Sequence, residues 1–363
     1  MVEIRSLSRH ESELAGYLRT WMGDHGFRAQ IDNVGNAIGS IGDLSAARTI
    51  VLLGHMDTVP GEVPVREEGD LLYGRGTVDA KGPLATFIVA AANAALPPGV
   101  RVEVVGAVEE ECTTSRGARA VAERYRPDAC FIGEPSTWRG VTIGYKGRLV
   151  AEYRVTRASA HSAGPNPTAS DDVVHWWMRA LAWVEARNAG HTGAFDRIQA
   201  SIRSISSSAS GLEDQTRLEA GFRLPPGVPP QELESALREL AGEGVLNCTG
   251  AEVAYLADRS NAVVRALGGA IRAEGQVPSV RVKTGTADMN VVGPRWNCPI
   301  AAYGPGDSSL DHTPNEHISL TEYLDATCVL TRAIENLAAE LAVDLRPQVT
   351  IAASSHPHPQ TAH

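Results

Sequence analysis

The chain has 363 residues, 43% hydrophobic and 21% charged, enough for a large buried core and unlike a disordered polar chain. Its formal charge of −10 excludes nucleic acid as an expected partner, because phosphate binding needs a basic surface. No apolar run reaches membrane-spanning length, Met1–His10 lacks the apolar stretch of a secretory signal, and five scattered cysteines form no Cys-x-x-Cys, so the expectation is a reduced, cytoplasmic protein off the membrane.

From Glu3 to Phe27 apolar residues recur at helical spacing (Leu14, Tyr17, Leu18, Trp21), and His25-Gly26 ends the helix. Thr49–Gly54 is a short apolar run that reads as a buried strand. Leu71–Gly76 reads as an irregular loop and Pro83–Leu96 as a helix. Arg101–Val108 is a second buried strand, Gly117–Tyr125 a helix and Asp128–Ile132 a third strand. This alternation predicts an α/β sheet with parallel strands and chemistry at their carboxyl ends.

Near Tyr145 the pattern changes. Gly147–Val155 alternates apolar and polar residues, as a half-exposed antiparallel strand does. A helix over Asp171–Arg187, strands at Ile198–Ser206 and Thr216–Leu224, a helix over Gln231–Glu243 and a strand at Ala251–Leu256 predict a small inserted α+β layer. From Ser260 the alternation resumes and ends in an amphipathic helix, Leu320–Leu341. The expected division is a main domain at 1–144 and 259–346, an insert at 145–258 and a loose tail at 347–363. The tail's histidines read as a solvated end, not a metal site.

The residues that carry chemistry lie at the strand ends. In GHMDTVP, His55 and Asp57 follow a buried strand two residues apart, so both point to one face. That spacing lets the carboxylate hold the far imidazole nitrogen and fix the metal-binding tautomer, although a hydrogen-bonded core histidine explains the pair as well. Asp79 in GRGTVDAKG precedes a helix and could be an N-cap. Glu109, Glu110 and Glu111 end the second buried strand, where their repulsion would be relieved by a cation. Glu134 in FIGEPS ends the third strand, and His312 in DHTPNE sits in a late polar loop. Each piece has a bland explanation; together they supply nitrogen and oxygen donors suited to a metal.

As an ordered set, GHMDTVP, GRGTVDAKG, the glutamate cluster, GEPS, AHSAGP and DHTPNE resemble one family over nearly all of the chain to Ala338. It is the zinc-dependent acetylornithine deacetylase, succinyl-diaminopimelate desuccinylase, aminoacylase and carboxypeptidase G family. The resemblance implies a zinc-peptidase-like α/β catalytic domain with a mixed sheet flanked by helices, an inserted α+β dimerisation (lid) domain, and a homodimer. It implies a hydrolase of linear amide bonds holding two divalent metal ions, zinc first and cobalt second. By position, Asp79 would bridge the metals, His55 and Glu134 would complete one site, and Glu111 and His312 the other. Asp57 would orient His55, and the peptide after Asp79 would be cis. Family members usually carry Asp-Glu-Glu, five residues and a glycine. Counting back from Gly117 makes Glu110 the general base and Glu111 a ligand; the other frame makes Glu109 the base and Glu110 the ligand. His161, in ASAHSAGP, would stabilise the oxyanion in the partner subunit's site.

For the substrate, Arg223 in LEAGFRLP matches the family's carboxylate-gripping arginine, and Asp288 in VKTGTADMN is a second candidate, with a turn aspartate as the alternative. KTGTADMN, the Glu-Glu-Glu variant and the short length resemble one branch in particular. That branch releases lysine or ornithine from the terminal glutamate of a small acidic amino-group carrier protein, in lysine or arginine biosynthesis. A deacylase of small N-acyl amino acids is the alternative, and a metallo-carboxypeptidase or dipeptidase the third. An acidic enzyme meeting an acidic carrier needs a local basic surface. The sequence suggests one from Arg116, Arg119, Arg124, Arg126, Arg139, Lys146, Arg148, Arg154 and Arg157.

Overall fold

The computed structural model describes residues 1–161 and 164–343, so the tail expected at 347–363 lies outside the described residues. The first helix, α1 (Ser12–Asp24), starts well after Glu3. The segment before it is tied down instead: Ser6 Oγ donates to the Met56 carbonyl (2.7 Å) and Leu7 bridges Thr58. Then follow β1 (Arg28–Ile31), β2 (Ala37–Gly42), β3 (Arg48–His55), β4 (Arg66–Glu68) and β5 (Leu71–Tyr73). β5 falls where the sequence predicts a loop; its three half-buried residues are too few to show a period-two pattern. After α2 (Lys81–Asn93), β6 (Val100–Ala107), α3 (Arg116–Arg124), β7 (Ala129–Gly133) and β8 (Gly140–Tyr145) the chain leaves the main sheet.

A second sheet is built from β9 (Gly147–Ala158), β10 (Gln199–Ala209), β11 (Glu213–Leu224) and β12 (Val245–Glu252), with α4 (Ala169–Asn188) and α5 (Pro230–Glu239) packed on it. β13 (Tyr255–Leu256) rejoins the main sheet against β8. The single strand expected at Ala251–Leu256 is thus two, because Val253-Ala254 carries the chain between sheets. α6 (Ala262–Ala273), β14 (Ser279–Lys283), α7 (Asp288–Trp296), β15 (Ile300–Tyr303), β16 (His317–Ser319) and α8 (Leu320–Val343) follow.

The main sheet runs β1-β2-β6-β3-β7-β15-β8-β13, with β14 also paired to β8. β6, β3, β7 and β15 are parallel, while β1, β2, β8 and β13 make antiparallel contacts, so the sheet is mixed. Its central strands are mostly apolar because both faces are covered; Ile50, Val51, Leu52 and Leu53 of β3 are all fully buried. β3 has β6 on one side and β7 on the other, so the chain order reverses there and a crevice opens at the carboxyl ends.

The second sheet, β10-β11-β9-β12, is wholly antiparallel. Along β11, Thr216, Leu218, Ala220, Phe222 and Leu224 are buried at alternate positions, the period of a sheet with one covered face. Trp176 of α4 is fully buried and stacks on Tyr153 at 4.5 Å, and Thr168 caps that helix through reciprocal bonds with Asp171. No helix among the described residues is long and apolar enough to cross a membrane.

Candidate metal centre

The carboxyl ends of the parallel strands bring the predicted donors together. His55 is the last residue of β3, Glu109–Glu111 follow β6, Glu134 follows β7, and the loop after β15 carries His312. Asp79 comes from the loop before α2, and the Asp79–Ala80 peptide is cis. The Asp79 carboxylate stands between the two imidazoles: Oδ1 is 3.2 Å from His55 Nε2 and Oδ2 is 3.0 Å from His312 Nε2. His312 Nε2 is also 2.9 Å from Glu111 Oε1. Two donor sets, His55 with Glu110 and Glu111, and Asp79 with Glu111 and His312, each gather within 4.8 Å; Glu134, expected beside His55, is in neither, and Glu110, expected as the base, is in the first. Ligands at bond lengths of about 2.0–2.1 Å around a tetrahedral ion stand roughly 3.3 Å from each other. The observed 2.9–3.2 Å separations fit that spacing, and the donors are the right types.

Three buried contacts hold these donors in place. Asp57 is fully buried; its carboxylate accepts the N–H groups of Glu110 and Glu111 (3.0 Å each) and Ser8 Oγ–H (2.7 Å). His55 Nδ1 is 3.0 Å from the Asp57 carbonyl and 3.5 Å from its carboxylate. Asp57 therefore contacts His55 through both its carbonyl and its carboxylate, the carboxylate at the longer distance. Glu316, fully buried, accepts the N–H groups of Gly76, Val78 and Asp79 (2.9, 3.0 and 3.1 Å) and pairs with Arg75. The late loop thus supplies His312 and also fixes the loop of Asp79. Gly117 closes the glutamate turn: it donates to the Val108 carbonyl (3.0 Å), and a Cβ there would lie 2.5 Å from Val108 N.

The electrostatics are those of crowded acids. Burial, with repulsion from Asp79, pushes Glu134 up to about 8. Burial lifts Glu110 well above the usual carboxylate value despite the opposing pull of His55, with Glu134, Asp288 and Glu111 adding to it. Hydrogen bonds to Asp79 and Glu111 raise His312 to about 10. Burial works against the charge on Asp79, yet its contacts with His312 and His55 hold its carboxyl well below the usual range. Acids gathered this closely out of water are relieved by a cation.

Glu109 is turned to other partners. It pairs with Arg116 (2.7 Å), accepts Thr114 Oγ1 (2.5 Å), and does not line the cavity, whereas Glu110 and Glu111 do. That cavity, about 870 Å³, lies between the two sheets' elements and is also lined by Asp79, Glu134, Asp311 and His312. Arg223 reaches it from β11 and donates to Thr286 Oγ1 (2.7 Å). Asp288 does not reach it: it is buried at the start of α7, and Thr284, Gly285 and Thr286 line the wall before it. His161 is exposed in the loop after β9 and does not line the cavity.

Of the arginine-rich stretch read from the sequence, Arg148 alone lines the cavity. Arg116, Arg119, Arg154 and Arg157 pair with Glu109, Glu252, Glu152 and Asp172, and Lys146 is buried against carbonyls. The basic wall is built instead from Arg148, Arg203, Arg223, Arg281 and Lys283. Apart from Arg281 and Lys283 they are far apart in sequence, so no charge run announces them. Tyr145 and Asp311 also line the cavity and Glu316 braces it; for Glu316 and Asp311 the DHTPNE motif is the signal in the sequence.

A nitrogen- and oxygen-rich pocket at the carboxyl ends of a mixed sheet, with a basic wall opposite, defines a metal-dependent hydrolase. The model of peptidase family M20/M25/M40 matches residues 51–336, and the chain belongs to that family. The family implies divalent metal ions. A LysW-lysine hydrolase of Deinococcus radiodurans is 48% identical over 346 residues, covering 93% of this chain and 94% of that protein. A relative from Thermococcus kodakarensis is 40% identical over 338 residues, covering 93% and 90%. The solved structure of an M20 family metallo-carboxypeptidase from Sulfolobus solfataricus shares the fold, with a TM-score of 0.75 at 17% identity over 92% of this chain and 97% of that one.

Proposed function

We propose that this chain releases lysine, or ornithine, from the terminal glutamate of a small acidic amino-group carrier protein, by hydrolysis of the linking amide. The observation that carries this reading is the basic wall, Arg148, Arg203, Arg223, Arg281 and Lys283, on the cavity of a chain whose net charge is −10. It gives an acidic substrate a local surface of opposite sign. The relative from Deinococcus radiodurans, whose name specifies LysW-bound lysine, supports the same substrate.

In this reading His55, Asp79, Glu111, Glu134 and His312 would hold two divalent ions, Asp79 being placed to serve both, with zinc first and cobalt second. When bound, such a pair polarises the scissile carbonyl and makes water a nucleophile near neutral pH. Glu110 takes the proton of the attacking water and passes it to the departing α-amino group. Arg223 grips a substrate carboxylate by its planar fork. Residues 145–258 act as lid and dimerisation unit. Ile202 and Ile205 are exposed on β10, the edge strand of its sheet among the described residues, which supports pairing with a second copy. A cytoplasmic location completes the reading, supported by free cysteines throughout.

The test offers the metal-loaded protein a carrier bearing lysine or ornithine, N-acetylornithine and N-succinyl-diaminopimelate side by side. Fast release from the carrier alone is expected, with KM rising several-fold as salt screens the encounter. Faster release from a small acyl amino acid overturns the carrier assignment. His161, placed in trans, gives a second prediction. His161→Ala should lower kcat by about 10²–10³-fold with metal content unchanged. Mixed dimers of His161→Ala and Glu110→Gln should regain activity, since one composite site then has both groups; no regain contradicts the placement in trans.

A further inference from the structure

Tyr145, the last residue of β8, is 2% exposed and lines the cavity beside Glu110, Glu134 and Asp311. Its backbone is held from both sides, opposite Tyr255 of β13 and Lys283 of β14, so the ring has a fixed origin. The phenolic oxygen is nevertheless buried with no hydrogen-bond partner among the described residues. An unmatched buried hydroxyl destabilises the protein that carries it, and a phenylalanine ring would fill the same space. Such an atom at a cavity wall is a donor waiting for something that enters the cavity. A phenol, with an ordinary pKa of about 10, is protonated near neutral pH. It can therefore act only as a neutral O–H donor.

We propose that Tyr145 is a catalytic residue: its O–H donates a hydrogen bond to the carbonyl oxygen of the scissile amide and a stronger one to the oxyanion formed there. The proposal rests on the amide-hydrolysis reading above. No bond to Tyr145 forms or breaks, and its proton stays on the phenol throughout. The donor comes from the chain that supplies Glu110, so it serves the site without the partner subunit. It stands ready before any lid closes, unlike His161. Donors aimed at a developing oxyanion are typically worth about 10²–10³-fold in kcat.

The experiment compares Tyr145→Phe with the wild type as metal-loaded full-length protein, on whichever amide substrate the wild type cleaves. We expect kcat to fall by about 10²–10³-fold with KM little changed. A phosphinic analogue of the tetrahedral intermediate should lose affinity by a similar factor, while free lysine does not. Metal content should hold, and Tm should stay level or rise, because the unmatched hydroxyl is gone. An active wild type with Tyr145→Phe within about threefold of its kcat/KM overturns this proposal alone. A fall in kcat accompanied by lost metal or a lowered Tm also overturns it, in favour of a structural role. A wild type inactive on every amide overturns the hydrolysis reading and this proposal together.

Discussion

Glu110→Gln is expected to lower kcat by about 10²–10⁴-fold while leaving metal content nearly intact. The reason is geometric. The Asp57 carboxylate fixes the N–H groups of both Glu110 and Glu111, so the turn presents two glutamates to the cavity. Glu109 points elsewhere, held by Arg116 and Thr114. With Glu111 at 2.9 Å from His312, the group left to move a proton is Glu110. Turnover together with metal analysis checks this. Loss of metal from Glu110→Gln would restore the other frame, with Glu109 as base and Glu110 as ligand.

Asp79→Asn is expected to remove activity and to abolish stabilisation by divalent metal. Asp79 is the one carboxylate within 3.2 Å of both imidazoles, and an amide cannot bridge two cations as a carboxylate does. The wild-type response should depend on pH with a definite sign. Glu134 has a folded pKa of about 8 against an ordinary 4.5, and Asp311 of about 8 against 3.8. Raised carboxyls stabilise the metal-free protein fully below the ordinary value, and that stability is lost as pH rises through the folded value. His55, raised against its burial by Asp57 and Asp79, and His312, raised by Asp79 and Glu111, act in the same direction above 6.5. Metal binding needs these groups deprotonated. The rise in Tm on adding metal should therefore be larger at pH 8 than at pH 5 in the wild type and absent at both in Asp79→Asn. An equal rise in the variant would place the ions elsewhere.

Much of this was legible in the sequence, for a physical reason. Parallel central strands are covered on both faces, so Thr49–Gly54, Arg101–Val108 and Asp128–Ile132 are mostly apolar and stand out, and the polar residues just beyond them mark the crevice. Short or glycine-bearing strands do not show in that way. β2, with the sequence AIGSIG, lacks an apolar run because α1 closes on Gly39, where a Cβ would meet Met22 Sδ at 2.5 Å. Ile4 and Leu7 match helical spacing, but Ser6 and Leu7 bind the strand end beside the site, so α1 starts later. Tertiary placement was hidden too. Nothing local distinguishes Arg203 or Arg281, at the cavity, from Arg154, which pairs with Glu152. Tyr145 reads as one more apolar strand residue until its hydroxyl is found buried and unmatched.

The most direct test of the account is the intact mass of a carrier bearing lysine on its terminal glutamate, followed during incubation with the metal-loaded protein. Hydrolysis of the side-chain amide predicts free lysine and a full-length carrier that still ends in glutamate. A carrier shortened by its terminal glutamate with the lysine attached would show cleavage of the main chain and contradict the assignment.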